Sequence, residues 1–432
     1  MTYKLGSQDS IFDEIAQLIL KIVKNKRFYI ETVKTLDGIA ASAILYKTLI
    51  EQGAKVIVRF SQGSAKQSQI PSSDYKIGIG VNLEGADLLI GIDKGITPDK
   101  FGYERLFGGS LSVMAQLLRE KISANPASTY HLALIGAFSS FQDTGEDRSL
   151  KGLNEIVLEK ALLSKLIVEE EKFELPFGGL LPLQDSIALS YDPYFKGITG
   201  NQNVAVSIIK SAGIDYIKEG RFISLRDLKP EELKIIEKAL ERYSTTKTLK
   251  RKSYSRAYTD ESSFDYSIRD MLFMLEPLLL KNEFTRAFNA CIDSKKEFNT
   301  ELFYESVEET RRLISIFNTI INTRERLVDE GFIIRIVGTG MISLSQLMFI
   351  YKWVYRWDES KNKVILAETN EGPEEVFITL EKDPISVNNL QPLIEKYNGR
   401  IVRQTPFIII YVNVIKAGLL YEDMRKMIAG VP

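Results

Sequence analysis

The sequence predicts an α/β fold: a parallel-sheet domain at the N-terminus, a helical insertion, and a smaller α/β domain at the C-terminus. Two observations carry this. Segments rich in β-branched and aromatic residues alternate with helix-period segments along the N-terminal part, the signature of βαβ units. After a middle stretch of helices and loops, the residues from Phe332 onward return to the same alternation. The boundaries that follow are 1–160 for the first domain, 161–330 for the helical connecting region and 331–432 for the last domain.

The chain has 432 residues, 44% apolar and 26% charged, enough for a sizeable core in two or three domains. Fifty-six basic side chains face 57 acidic ones, so the molecule is not a polycation built to coat nucleic acid, and any basic surface must be local. The one cysteine, Cys291, excludes an internal disulfide, and no charged-then-apolar leader or long apolar run is present. A cytoplasmic location is the expectation. The single histidine, His131, rules out any His-His or His-x-x-x-His metal pair, and it is expected at a strand start rather than as a ligand.

Taken in order, an amphipathic helix opens after Ser10, with Ile11, Ile15, Leu18, Ile22 and Val23 on one face. Phe28 to Val33 reads as a strand that turns at Asp37-Gly38 into a helix carrying Ile39, Ala43, Ile44 and Leu49. A carboxylate at such a strand end is either a helix N-cap or a group facing a metal, a phosphate or water. Strands are expected at Lys55–Phe60, Lys76–Val81 and Ala86–Ile92, the last ending on a second carboxylate, Asp93. A helix follows over Gly108–Lys121 and a fifth strand over His131–Phe138. From Leu153 to Ser244 helices alternate with loops, including strong turn chemistry from Asp192 to Gly200 and a capped helix over Asp227–Tyr243.

Between Arg242 and Tyr258 stand six basic residues, Arg242, Lys247, Lys250, Arg251, Lys252 and Arg256, with no acid and with Tyr243, Tyr254 and Tyr258 interleaved. Cations neutralise phosphates and tyrosines stack on bases, so this segment is a candidate single-strand contact; a solvated loop face explains the same composition. Long helices are expected over Tyr266–Ala290 and Glu301–Glu330, the second with Ile314, Phe317, Ile321 and Leu327 on a stripe. The closing domain reads as strand Phe332–Val337, helix Leu344–Trp357, strands Lys363–Glu368 and Glu375–Leu380, helix Asn388–Tyr397 and strand Phe407–Val412. Gly338-x-Gly340-x-x-Ser343 lacks the third glycine of a dinucleotide fingerprint, and no ribose-binding acid follows, so NAD is not expected.

Several turns then line up with one family. Thr35-Leu-Asp37-Gly38, Ile92-Asp93-Lys94-Gly95-Ile96-Thr97 and Leu134-Ile-Gly136-Ala-Phe-Ser-Ser140, running on to Gly152-Leu-Asn154, resemble the first, second and fourth motifs of the DHH phosphoesterases. Asp192 to Gly200 and Asn289-Ala-Cys291 are similar to signatures of the archaeal RecJ-like branch, and the closing domain resembles the DHH-associated domain. Active members, as the resemblance implies, hold two divalent cations on aspartates and a DHH triplet. Here Val33 and Thr35 stand at the earlier aspartate positions, leaving Asp37 and Asp93 beside Gly38 and Gly95. No Asp-His-His is present, and Ser140 replaces the fourth-motif aspartate. Two cations about 4 Å apart need several anionic ligands to offset their repulsion. Two aspartates do not supply them.

The segment from Tyr397 to Pro406, with Arg400 and Arg403, aligns with the glycine-rich, His-containing substrate loop of active relatives but has lost the histidine and most glycines. A RecJ-like body without its metals resembles the catalytically silent Cdc-forty-five-like branch. That branch implies a non-catalytic replication factor, nucleoid-associated and without cofactor or metal, joining GINS and the MCM motor in the CMG helicase and bordering a displaced single strand; the candidate contacts to that strand, from the residues themselves, are Lys247, Lys250, Arg251, Lys252, Tyr254, Arg256, Arg400 and Arg403. The acidic run Glu169-Glu170-Glu171 and the long helices offer interaction surface. The enzyme alternative is a single-strand exonuclease with a reduced site in which Asp37, Asp93, Asp143 or Asp147 bind one cation.

Overall fold

The structure, a computed structural model, describes residues 9–61, 72–91, 95–105, 107–143, 149–244, 249–256, 267–293, 296–321, 327–329, 333–336, 342–351, 364–368, 374–380, 385–404 and 407–429. Two compact units result: residues 1–172 with 251–306, and residues 173–250 with 307–432. The stretch 161–330 is thus shared between both units. Among the described residues no helix is long and apolar enough to cross a membrane.

The first unit begins with α1 (Asp9–Ile22), β1 (Arg27–Val33), α2 (Leu36–Glu51), β2 (Lys55–Ser61), β3 (Tyr75–Ile79) and β4 (Leu88–Ile90). The four strands form one parallel sheet in the order β2-β1-β3-β4. This places β1 inside the sheet, where Tyr29, Ile30, Glu31 and Thr32 are fully buried. The expected face of α1 is rotated. Phe12, Ala16, Ile19 and Val23 point inward and Leu18 is 60% exposed. Both stripes have helical spacing, and the aromatic one wins because Phe12 stacks on Phe101 with ring centroids 4.8 Å apart.

Next come α3 (Leu111–Ile122), α4 (Tyr130–Ser139) and α5 (Leu153–Leu163). The strand expected at His131–Phe138 is α4, and all its residues are buried. A short run of apolar residues enclosed on every side has no polar face to reveal its period, so strand and helix look alike in sequence. His131 therefore lies inside a helix; burial first, then the charges of Arg256 and Lys47, hold its imidazole well below the usual range and neutral. Cys291 is likewise enclosed, its thiol pushed up to about 12 by burial against the opposing pull of Lys47.

The strand Ile167–Phe173, which carries the acidic run Glu169-Glu170-Glu171, pairs with the strand Lys250–Arg256. No strand was expected in either segment. The long helix expected over Tyr266–Ala290 is two, Ile268–Leu280 and Phe284–Ile292, separated where Asn282 takes a φ of 60°. The following helix, Lys296–Ile321, stops short of Leu327, which belongs to a strand.

In the second unit, helices Leu183–Ala188, Gln202–Ser211 and Pro230–Glu241 enclose a core with Phe195 and Ile236 at its centre. A six-stranded sheet runs in the order Arg400–Gln404, Phe407–Asn413, Glu374–Leu380, Val364–Glu368, Ile333–Ile336, Leu327–Asp329. Only the pair Ile333–Ile336 with Val364–Glu368 is parallel. Helices Val387–Lys396 and Val414–Ala429 cover it through Leu390, Ile394, Ala417, Leu420 and Met424. The two end strands and the last helix are additions to the sequence reading. Ser343 caps the helix Leu344–Ile350 by accepting from the Gln346 amide; Gly338 and Gly340 lie outside the described residues.

Candidate functional site

The site is the carboxyl end of β1. The chain leaves the strand at Val33, and Thr35, in extended conformation, caps α2 by accepting from the Gly38 amide at 3.1 Å. Asp37 is therefore not the N-cap; it is the second residue of the helix and 5% exposed. Gly38 is required for close approach: a Cβ there would lie 2.5 Å from the Val33 carbonyl oxygen and 2.8 Å from Thr32 Oγ1. Thr32 uses that closeness, donating its hydroxyl to the Gly38 carbonyl at 2.9 Å.

Asp37 spends its carboxylate on another helix. The Leu111 amide donates to Oδ2 at 2.8 Å and the Ser112 amide to Oδ1 at 2.9 Å. These are the first two N–H groups of α3, which no intrahelical carbonyl satisfies. The third, on Val113, goes to Ser110 Oγ at 3.2 Å, and the Ser110 amide donates to Asn154 Oδ1 at 2.9 Å. The start of α3 is thus fully paired, with an anion at its positive end. Burial lifts the Asp37 carboxyl to about 6, against the downward pull of the Ser112 amide and hydroxyl, the Leu111 amide and the Ser140 hydroxyl. It remains mostly ionised at neutral pH.

Serines complete the knot. Ser112 Oγ donates to the Ala133 carbonyl at 3.0 Å, and Ser140 Oγ to the Gly136 carbonyl at 2.8 Å. Asn154 Nδ2 donates to Gln142 Oε1 at 3.0 Å. A Cβ on Gly136 would fall 2.1 Å from Ser112 Oγ and 2.5 Å from Asp37 Oδ1. Gly136→Ala is accordingly expected to lower stability by about 2 kcal/mol through overpacking, read as lost hydrogen-exchange protection in α3 and α4.

Of the positions singled out in the sequence, the structure brings Asp37, Gly38, Thr35, Val33 and Ser140 to this one corner. Gly95 lies on the return after β4, where a Cβ would meet the Leu89 carbonyl oxygen at 2.2 Å; Asp93 and Asp147 lie outside the described residues. Asp143 is buried, 3.9 Å from an Arg269 nitrogen. Two cations do not fit what is described. Val33, Thr35 and Ser140 bring no carboxylate, both Asp37 oxygens already accept amides, and among the described residues no three His, Cys, Asp or Glu side chains gather. The partners missed in the sequence are Ser110 and Ser112, and the signal for the first was there: a serine directly before a helix-period run.

The basic segment is a strand, and most of its groups are engaged. Arg251 is 6% and Tyr254 5% exposed, and the Tyr254 ring stacks on Phe138 at 5.7 Å, so it has no face for a base. Lys252 pairs with Glu169 at 3.0 Å and Lys250 lies 3.8 Å from Glu237. Arg256 ends the strand within the field that His131 senses, and Lys247 lies outside the described residues. In the other unit, Arg400 lies 3.7 Å over the Tyr411 ring and 3.2 Å from Glu374; the backbone of Arg403 pairs with Ile408 on the edge strand.

No protein-family model matches the sequence, and no curated protein resembles it at the sequence level. Solved structures do. CDC45 from Entamoeba histolytica superposes with a TM-score of 0.63 at 12% identity, over 97% of this chain and 99% of that one. RecJ from Thermus thermophilus, in complex with Mg2+, gives 0.53 at 11% identity over 99% of this chain and 53% of RecJ. An exonuclease RecJ bound to manganese gives 0.53 at 12% identity, over 95% and 92%. The fold is therefore that of the RecJ and CDC45 structures, an α/β body with a parallel sheet and a C-terminal domain.

Proposed function

We propose that this chain is an assembly subunit rather than a nuclease: a RecJ-type body that joins GINS and the MCM motor in a replicative helicase and borders a displaced single strand. The observation that carries the reading is at Asp37. The strand-end carboxylate that a phosphoesterase would turn to a cation is committed on both oxygens to the α3 amides. The likeness to CDC45 over the full length of both chains supports the same reading. Within it, Lys250 and Lys252, whose ammonium groups are half exposed, are the basic groups that would meet a phosphate backbone.

Co-expression with GINS and MCM tests it directly. The chain is expected to co-purify with GINS at near-equal stoichiometry and to raise MCM unwinding when both are added. Pure protein with manganese is expected to leave single-stranded DNA intact. Degradation abolished by Asp93→Ala would overturn the proposal in favour of a reduced-site exonuclease, as would failure to bind either partner.

A further inference from the structure

A second polar site lies wholly within the second unit. A cleft of about 810 Å³ opens between the helix Leu183–Ala188 and the 307–321 part of the helix Lys296–Ile321, with Gly200 and Gln202 on its rim. Its size is in the range of small-ligand sites and exceeds one side chain.

The orientation of its amides follows from chemistry alone. Gln202 Nε2 lies 2.8 Å from Asp185 Oδ1, and a carboxylate only accepts, so the Gln202 nitrogen must point at it. Asn318 Nδ2 lies 2.9 Å from the Thr199 carbonyl, which again only accepts. Both amides have spent a donor inside the protein, and their oxygens remain as acceptors on residues that, with Asp185, line the cleft. No described donor reaches those two oxygens or Asp185 Oδ2. The backbone is built for this: Gly200, at φ 84°, lets the Asn318 amide approach so closely that a Cβ would sit 2.1 Å from its nitrogen.

The protein's own nearby cation does not fill the role. Arg311 Nη2 stands 3.9 Å from Asp185 Oδ1, beyond hydrogen-bond distance, and its Nη1 is held by Glu308. Asp185 is left partly desolvated, its one described counter-charge too far for a hydrogen bond: burial raises its carboxyl above the usual range, with Arg311 pulling the other way. Beside it, Ala188, Leu189 and Ile314 form an apolar wall.

We propose that this cleft takes the side chain of a lysine or arginine presented by a partner polypeptide, its alkyl stem on Ala188, Leu189 and Ile314 and its cationic head among Asp185, Gln202 and Asn318. Acceptor oxygens above an apolar wall match a charged head on a methylene stem, and the spare volume admits flanking peptide. The inference stands independently of the helicase reading.

Calorimetric titration of the full chain tests it with three probes: a blocked peptide carrying Lys and Arg between glycines, the same peptide with norleucine at both positions, and free agmatine. The basic peptide is expected to bind, the norleucine peptide at least 10-fold more weakly, and agmatine more weakly than the peptide. Asp185→Asn is expected to weaken the basic peptide at least 10-fold. Ser315→Lys, on the exposed face of the same helix, is expected to abolish binding by tethering an ammonium in the cleft, with an unchanged melting temperature showing that the fold is kept. Absence of basic-peptide binding, equal binding of the norleucine peptide, or full affinity in a folded Asp185→Asn or Ser315→Lys protein would each overturn the assignment. Agmatine binding as tightly as the peptide would overturn the polypeptide as its source.

Discussion

Truncating Arg119 to alanine is expected to cost about 3 kcal/mol of local stability, read as lost hydrogen-exchange protection in α2 and α3. Its side chain is fully buried, and one nitrogen donates to Thr48 Oγ1 at 3.0 Å while the other serves Glu51 Oε1 at 2.7 Å and the Asn125 carbonyl at 3.0 Å. One side chain thus ties α2, α3 and the turn after α3. Most of the loss comes from the emptied volume and the acceptors left behind rather than from the ion pair, because the Glu51 side chain is 42% exposed and water screens it. Arg119→Met, which keeps the volume, should therefore lose less than Arg119→Ala, and the double-mutant coupling of Arg119→Ala with Glu51→Gln should stay below about 1 kcal/mol. A coupling of several kcal/mol would show the pair itself to be the dominant contact.

The corner at β1 was legible in part, and the reason is range. Strand, turn and helix from Phe28 to Leu49 are adjacent in sequence, and their change of period from two to 3.6 shows directly. What Asp37 does was not legible: its partner Leu111 lies 74 residues away, and an aspartate caps a distant helix or faces a cation with the same local sequence. The basic segment failed for a different reason. Lys250 to Arg256 alternates in burial, with Arg251 and Ser253 inside and Lys250 and Lys252 outside, but the inward residues are polar and hide the strand period. Counting its charges also ignored Glu169 and Glu237, which sit close only in the folded chain. Helix α4 failed because burial on all sides leaves no period to read.

Replacing Asp37 by alanine is expected to cost about 3 kcal/mol, since two first-turn amides of α3 lose charge-assisted partners in a buried place. Asp37→Asn should cost nearly as much, because an amide offers one acceptor to two N–H donors and turns its own N–H2 toward the second. The pH dependence has a definite sign. With the folded carboxyl raised to about 6 by burial and the unfolded one at 3.8, the folded state holds the extra proton between those values. This group's contribution to stability therefore falls as pH rises from about 4 to about 6 and is level above, and Asp37→Asn should remove that slope. A chelator separates this role from metal binding: if Asp37 serves α3, EDTA leaves the melting temperature of the native chain unchanged while Asp37→Ala lowers it. A native chain that loses stability in EDTA as much as by Asp37→Ala would return the carboxylate to a cation.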